Sequence, residues 1–146
     1  MGRTAHRTNR LGALAPRYAF ILNPHTDSRF TRCARCETKT NLRKLPLVVH
    51  VDGFGLVLLG KRCRLCLRCD ALVVHKAELD DLLRTAVKVP DPEYVVLGTI
   101  DRYWYRRGLS RGASLDDVKE HMADFKSYWK VDVTPAGWYP KDGHAG

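Results

Sequence analysis

The sequence predicts an α+β protein, with a small antiparallel β module first and a helix, a strand and a second helix after it. Two observations lead to this class. Over residues 18–76, short runs rich in β-branched residues alternate with turn signals and with all five cysteines. Over residues 77–133, two stretches with apolar residues at helical spacing flank one more strand-like run, so we expect this part to pack on the first.

The two ends of the chain predict no regular structure. Residues 1–17 are basic and hold only a short apolar patch, so we expect a flexible arm and no secretory signal. Its arginines are mobile cations of the kind that settle on phosphates, namely Arg3, Arg7, Arg10 and Arg17. Residues 134–146 are rich in Pro and Gly and predict an irregular tail. No apolar run approaches the roughly 18 residues of a membrane helix, so we expect a cytoplasmic protein without a membrane partner.

Four strands are expected in the first part. Residues 18–22 form a strand-like run that the Asn23-Pro24 pair ends. Residues 45–51 and 54–59 flank Asp52-Gly53, which is a common turn of β-hairpins. Residues 60–68 are expected to form a turn that carries cysteines, and residues 70–75 form the fourth strand.

The second part predicts two helices around a strand over residues 93–100. Residues 76–87 carry leucines at helical spacing. A longer helix is expected from Ser114 to Trp129, with Asp117 completing a capping box. Its apolar stripe consists of Leu115, Val118, His121, Met122, Phe125 and Trp129. Residues 101–107 place three consecutive aromatic side chains, Tyr103 to Tyr105, between arginines. We expect an edge strand there, and a surface that stacks unpaired bases is the alternative.

The cysteines indicate a metal site. Cys33 and Cys36 form one C-x-x-C pair, and Cys63, Cys66 and Cys69 form two overlapping pairs further along. Disulfides are rare in a reducing cytosol, whereas paired C-x-x-C spacing is typical of zinc sites. Four thiolates complete the tetrahedral shell of Zn²⁺ and leave no position for substrate. We therefore expect one structural Zn²⁺.

The residue that follows a C-x-x-C knuckle commonly takes a positive φ, which Gly, Asn and Asp tolerate best. Asp70 follows Cys69, whereas the bulky Leu67 follows Cys66. This difference predicts the ligand set Cys33, Cys36, Cys66 and Cys69, with Cys63 as a possible substitute. His50 and His75 are weaker substitutes, because each lies in an apolar strand pattern.

With two C-x-x-C knuckles joined by strands, residues 18–75 resemble the zinc-ribbon group. They are also similar to small uncharacterised bacterial zinc-ribbon-like proteins that have a strand, an Asn-Pro turn and two knuckles in this order. The resemblance implies a zinc-bearing β module that serves in nucleic-acid machinery or docks on proteins. The chain departs from the pattern because no Gly follows either knuckle and a third cysteine overlaps the second one.

The positive charge is concentrated in the first part. The chain has a net charge of +9, and residues 1–76 carry 15 Lys and Arg against 4 Asp and Glu. Two knuckles that share one metal would gather their basic neighbours into one face, which predicts nucleic-acid binding. These neighbours are Arg29, Arg32, Arg35, Lys39, Arg43, Lys44, Lys61, Arg62, Arg64 and Arg68. RNA is slightly favoured over duplex DNA, since the expected helices have no basic recognition face.

The alternative function is a protein–protein adaptor that uses the helices and the aromatic residues around Tyr103–Tyr105 or Trp138. We expect no enzyme and no small-molecule substrate. Residues 108–112 match G-x-S-x-G, but a nucleophile elbow needs a large parallel sheet and partners that follow the serine. Cys63, if it binds no metal, is expected to have a lowered pKa beside Lys61, Arg62 and Arg64 and to oxidise readily.

Overall fold

The structure is a computed structural model that describes residues 10–108, 114–130, 132–134 and 137–139. The elements are β1 (Ala19–Asn23), β2 (Asn41–Val51), β3 (Gly55–Cys66), β4 (Ala71–His75), α1 (Lys76–Val87), β5 (Tyr94–Ile100), α2 (Arg102–Gly108), α3 (Leu115–Glu120), β6 (Met122–Asp124), β7 (Ser127–Trp129), β8 (Asp132–Thr134) and β9 (Gly137–Tyr139). Strand therefore dominates the regular structure of these residues. None of their helices is long and apolar enough to span a membrane.

Seven strands form one mixed sheet in the order β6-β5-β2-β3-β4-β1-β7, and β8 pairs with β9 alone. β1 is parallel to both β4 and β7, and the other neighbours are antiparallel. Strands from residues 18–76 and from residues 77–133 thus share a sheet. The broad α+β class is confirmed. The predicted arrangement of a small ribbon module followed by helices is wrong, because strands β5, β6 and β7 belong to the same sheet as β1 to β4.

β2 and β3 form a hairpin of eleven residue pairs that is closed at Asp52-Gly53, as predicted, with a φ of 79° at Gly53. β3 extends to Cys66 and takes up most of residues 60–68, where a turn was expected. This segment is a strand and not a turn because buried and more exposed side chains alternate along it. Lys61, Cys63 and Leu65 are buried, whereas Arg62 is exposed and Arg64 is half-buried. A period of two residues is the period of a strand.

The sheet curls into a half-barrel because its two edge strands are close neighbours in sequence. β6 and β7 occupy opposite edges, yet only Phe125 and Lys126 separate them. Consecutive Cα atoms are about 3.8 Å apart, so Asp124 and Ser127 lie within roughly 11 Å of each other. The edges must therefore approach each other. Phe125 stacks on Phe20 of β1, with 4.5 Å between ring centroids, and fills the space where the edges meet.

Residues 10–17 are bound along β6, which differs from the flexible arm expected for this segment. The Asp124 carboxylate accepts hydrogen bonds from the backbone N–H groups of Leu11, at 3.0 Å, and Gly12, at 2.6 Å. The Leu14 N–H donates to the Met122 carbonyl at 3.0 Å. These hydrogen bonds attach residues 11–14 to β6. Arg3 and Arg7 lie outside the described residues.

The two faces of the sheet pack differently. On the face that we call the helix face, α1 inserts Leu79, Leu83 and Val87 over the main apolar cluster. The opposite face, which we call the knuckle face, carries two smaller clusters. One surrounds the cysteine loops, and the other lies under α3 around Val48 and Met122. The cysteine loops and α1 therefore lie on opposite sides of the sheet.

The predicted helix over residues 76–87 is confirmed as α1, but the helix from Ser114 to Trp129 is wrong beyond Glu120. The capping box of Ser114 and Asp117 starts α3 as expected. After His121 the chain instead forms β6 and β7, which pair with β5 and β1. Unpaired backbone groups at sheet edges favour this pairing over a continued helix.

Residues 102–108 form α2, so the expected edge strand is wrong. The Asp101 carboxylate caps this helix by accepting hydrogen bonds from the N–H groups of Tyr103, at 2.8 Å, and Trp104, at 3.1 Å. The Trp104 ring stacks on His121 with 4.6 Å between centroids. Of the predicted irregular tail, residues 137–139 form β9, and residues 135–136 and 140–146 lie outside the described residues, as does most of the 108–112 motif.

Gly98 lets β6 approach β5, and this suggests a stability test. A Cβ atom at Gly98 would lie 2.2 Å from the Ala123 carbonyl oxygen. We expect Gly98→Ala to lower the free energy of unfolding by about 1–3 kcal/mol, because the backbone of β6 has to move. Urea denaturation measures this loss. Gly60→Ala is the matched control, since its nearest neighbour is the flexible end of Lys44 at 3.1 Å. An equal loss in both variants contradicts the prediction.

Candidate metal centre

The four predicted cysteines form one group. The sulfurs of Cys33, Cys36, Cys66 and Cys69 all lie within 4.8 Å of one another. The Cys36 and Cys66 sulfurs are 3.5 Å apart. A tetrahedral Zn²⁺ with Zn–S bonds of about 2.3 Å holds its sulfurs roughly 3.8 Å apart. The group therefore has the size and the ligand chemistry to hold one metal ion, and zinc fits it well.

The first cysteine pair lies on a tight loop between β1 and β2. The Cys33 N–H donates to the Thr38 carbonyl at 2.8 Å, and the Glu37 N–H donates to the Cys33 carbonyl at 3.0 Å. The Arg35 N–H reaches the Cys33 sulfur at 3.3 Å. These bonds direct both sulfurs of the loop to one side, which is the geometry of a metal-binding knuckle.

The second pair lies where β3 turns into β4. Cys66 is the last residue of β3, and the Cys69 N–H points at its sulfur at 3.4 Å. Asp70 follows with a φ of 54°, and Glu37 follows the first pair with a φ of 63°. The predicted positive φ after each ligand pair is thus confirmed. Asp and Glu here take a conformation that Gly adopts more readily.

The two loops pack on the knuckle face through a small apolar cluster. Cys33 and Cys66 are buried in it with Phe30, Ile21 and Val73, and half-buried Trp129 of β7 packs against it. The guanidinium carbon of Arg35 lies 4.2 Å from the centroid of the Trp129 ring. The cysteine loops therefore contact the middle of the sheet and its β7 edge, and a metal there would join them.

The thiols differ in acidity, and their neighbours explain the difference. Hydrogen bonds from the side chain and the backbone of Thr38 lower the pKa of Cys36 to about 6. Burial raises the pKa of Cys69 to about 12 and also raises the pKa of Cys66. Four adjacent thiolates repel one another, so a divalent cation is needed to ionise all of them together.

Cys63 does not belong to the group. Strand alternation directs its side chain to the helix face, where its sulfur donates to the Lys61 carbonyl at 3.2 Å. Burial raises the pKa of Cys63 to about 12, so the expectation of an acidic, easily oxidised thiol is wrong. His75 caps α1 and His50 is exposed on β2, and neither is part of the four-sulfur group.

Lys61 was expected on the basic face, but it is buried inside the protein. Its side chain is 5% exposed, and its ammonium group donates to the Arg62 carbonyl at 2.6 Å and to the Glu78 carboxylate at 2.8 Å. Arg29 also pairs with Glu78. Lys61 is therefore an internal cation with no surface to offer a ligand. Sequence reasoning missed Glu78, although its position in the first turn of a predicted helix was a signal.

The other nine predicted basic residues are exposed or half-buried, but they do not form one face. Lys44 is opposite Arg62 in the hairpin, so these two side chains and Arg64 share the knuckle face. Arg43 is opposite Cys63 and points to the helix face. The cysteine loops carry the remaining exposed cations close to the sulfurs in sequence, namely Arg32, Arg35, Lys39 and Arg68.

No known protein family, curated protein or solved structure matches this chain with significance. The fold and the cysteine group nevertheless define a structural class of protein. It is a curled, mixed β-sheet protein with a four-cysteine group that can hold one metal ion on one face of the sheet. Function must be inferred from that site and its surroundings.

Removal of a ligand tests the metal centre. We expect the purified protein to contain one zinc per chain and Cys69→Ser to lose most of it, because three thiolates leave the tetrahedral shell incomplete. Metal analysis of the purified variants measures this. Cys63→Ala is the control and is expected to keep its zinc, since its sulfur lies outside the group. A similar zinc content in Cys69→Ser and the parent protein would refute the site.

The Glu78 ion pairs predict a pH-dependent stability. Hydrogen bonds from Lys61 and Arg29 lower the pKa of Glu78 from 4.5 to about 2. The unfolded chain binds a proton at higher pH than the folded one, so this contribution is full above pH 4.5 and is lost as the pH falls towards 2. Because Glu78 is partly exposed, solvent screens its ion pairs and reduces their contribution to stability.

We therefore expect Glu78→Gln to lose about 1 kcal/mol of unfolding free energy at neutral pH, because it leaves the buried Lys61 ammonium without its carboxylate. The loss should shrink as the solution is acidified. Denaturant titrations of parent and variant over a series of pH values measure it. Glu93→Gln removes an exposed carboxylate with no ion pair among the described residues and is expected to change little. A loss that grows on acidification contradicts the assignment.

Proposed function

We propose that this chain is a zinc-stabilised, non-catalytic binding module that associates with nucleic acid. The observation that carries the proposal is the four-cysteine group, flanked in sequence and on the knuckle face by exposed cations that have no acidic partner among the described residues. The strongly basic composition of residues 1–76 supports it.

The metal's role in this proposal is structural. Cys33 and Cys36 would bind it from the loop before β2, and Cys66 and Cys69 from the turn after β3. A bound zinc supplies a fixed tetrahedral junction between these segments. Since four thiolates occupy every position of that junction, it offers no place for a reactive water or a substrate.

The binding surface in this proposal has two parts. Lys44, Arg62 and Arg64 lie together on the knuckle face, and Arg32 and Arg68 project from the two cysteine loops. Arginine predominates, and its planar guanidinium binds phosphate oxygens through two parallel hydrogen bonds. Glu37 and Asp70 add acidic charge next to the cysteines, so the phosphates are expected to follow the arginines of β3.

RNA is favoured over duplex DNA within this proposal. Recognition of the DNA major groove commonly uses a helix with a basic face. α3 carries Asp116, Asp117 and Glu120, which repel phosphates. α2 carries arginines, but it has only seven residues and Arg107 is hydrogen-bonded to its own Tyr103 at 2.5 Å. The sheet surface is better suited to irregular or single-stranded RNA.

A salt titration with short RNA and DNA strands tests this function. We expect affinity to fall linearly with salt on logarithmic axes, because bound phosphates release counterions. Arg62→Gln, which removes an exposed arginine of β3, should reduce the steepness of that line by about one unit. Fluorescence anisotropy of labelled strands measures the affinity of the parent and of the variant at each salt concentration. Lys88→Gln, at the far end of α1, removes one exposed cation away from the cysteines and should leave the slope unchanged. Absent or salt-insensitive binding rules the function out.

A protein adaptor is the second candidate, and one observation favours it. A cavity of about 710 Å³ lies between α3 and the sheet, and its walls are mostly leucine and valine. Leu115 at its rim is 54% exposed. In the segment Tyr103–Tyr105, where an exposed aromatic patch was expected, Tyr103 is exposed but Trp104 and Tyr105 are half-buried. The side chain of Trp138 lies outside the described residues. A protein without polyanion affinity in the titration above would favour this candidate.

A further inference from the structure

A second concave site lies beside β3, where its pairing with β4 ends at Val73 and α1 begins, so residues from both faces of the sheet line it. It is a cavity of about 290 Å³, and its polar lining comes from Asn23 of β1, Arg29 of the loop between β1 and β2, Arg62 and Arg64 of β3, His75 of β4, and Glu78 of α1. Val73 of β4 contributes apolar surface to it. Each basic residue reaches the cavity from a segment that the sheet or α1 holds in place.

The charge of this cavity is positive even after its ion pair is counted. Glu78 is already bound by Arg29 and by the buried Lys61. Arg62 and Arg64 make no ion pair among the described residues. Three lining arginines against one carboxylate leave a net charge of about +2, since each group carries one unit. The cavity is therefore suited to a ligand with more than one negative charge.

The cavity is also built in advance of any ligand. Residue Asn23, which is 1% exposed, donates to the Ser28 carbonyl at 2.6 Å and accepts from the His25 N–H at 2.9 Å. These bonds hold the short loop that ends at Arg29. His75 adds a contact of 3.3 Å to the Thr26 carbonyl. A site whose loop is fixed before binding loses less entropy when the ligand arrives.

Arg62 and Arg64 are two residues apart on β3, so their side chains leave the same face about 7 Å apart. Two guanidinium groups at that spacing can each direct two donors at a single phosphate group between them. A phosphate monoester carries close to two negative charges at neutral pH, whereas each internal phosphate of a strand carries one. The net charge of the cavity thus favours a monoester over an internal phosphate.

We propose that this cavity binds a phosphate monoester, and that in a nucleic acid it takes the terminal phosphate of a strand. This inference rests on the proposed function, because the strand is the ligand that the basic surface would bring to the cavity. The internal phosphates then lie along the exposed cations of the knuckle face, and the strand end enters between Arg62 and Arg64. A free mononucleotide offers the same chemistry without the rest of the strand.

The test compares short RNA strands that differ only in a 5′-phosphate, a 3′-phosphate or neither, with a nucleoside monophosphate as a competitor. We expect the parent protein to bind one of the phosphorylated strands about tenfold more tightly than the unphosphorylated one, which corresponds to one added charged contact pair. The double variant Arg62→Gln and Arg64→Gln should bind all three strands equally and more weakly than the parent, because it loses the terminal-phosphate preference together with two cations of the binding surface. Lys44→Gln neutralises the cross-strand neighbour of Arg62 and should keep the preference.

The variant Arg62→Lys with Arg64→Lys keeps the charge but removes the guanidinium forks, so we expect it to keep only part of the preference. Zinc content and denaturant unfolding establish that each variant is folded. If the parent binds all strands equally, the inference is overturned and the proposed function stands. If no strand binds but the monophosphate binds and the double variant loses it, the cavity is confirmed as a monoester site and the nucleic-acid function fails.

Discussion

The convergence of four cysteine sulfurs on one point is the constraint on which the functional side of this molecule depends. Cys33 and Cys36 belong to the loop between β1 and β2, and Cys66 and Cys69 belong to the turn at the end of the long hairpin. Burial and mutual repulsion oppose ionisation of most of these thiols. A bound divalent cation would stabilise the thiolates and would join the loop to the sheet.

The sheet holds the cysteine loops in place. The curl of the sheet follows from the short segment of sequence between its two edge strands. β6 and β7 are two residues apart but lie at opposite edges, which brings the edges together around Phe20 and Phe125. Trp129 of β7 then lies against the cysteine cluster, under the guanidinium of Arg35. The metal site, the closure of the sheet and one aromatic residue are thus parts of a single packed unit.

Lys61 and Glu78 show that packing decides whether a charged side chain is available to a ligand or is used in an ion pair. In the sequence, Lys61 is one of four cations around the second cysteine pair, and all four look equally available. In the fold it lies on the helix face under α1, where Glu78 and a carbonyl oxygen surround its ammonium group. Its neighbours Arg62 and Arg64 face the other way, so one-residue alternation along β3 places the buried Lys61 ammonium on one side of the strand and the arginines of the candidate binding surface on the other.

The sequence by itself determined which four cysteines form the group, Cys33, Cys36, Cys66 and Cys69, together with the Asp52-Gly53 hairpin and α1, because spacing, turn chemistry and helical periodicity are local properties. Only the tertiary structure decided that residues 121–129 leave the helical pattern to become edge strands. It also decided which arginines share a face with the cysteines. Those outcomes depend on which backbone groups lack partners once the sheet has formed, and no short window of sequence contains that information.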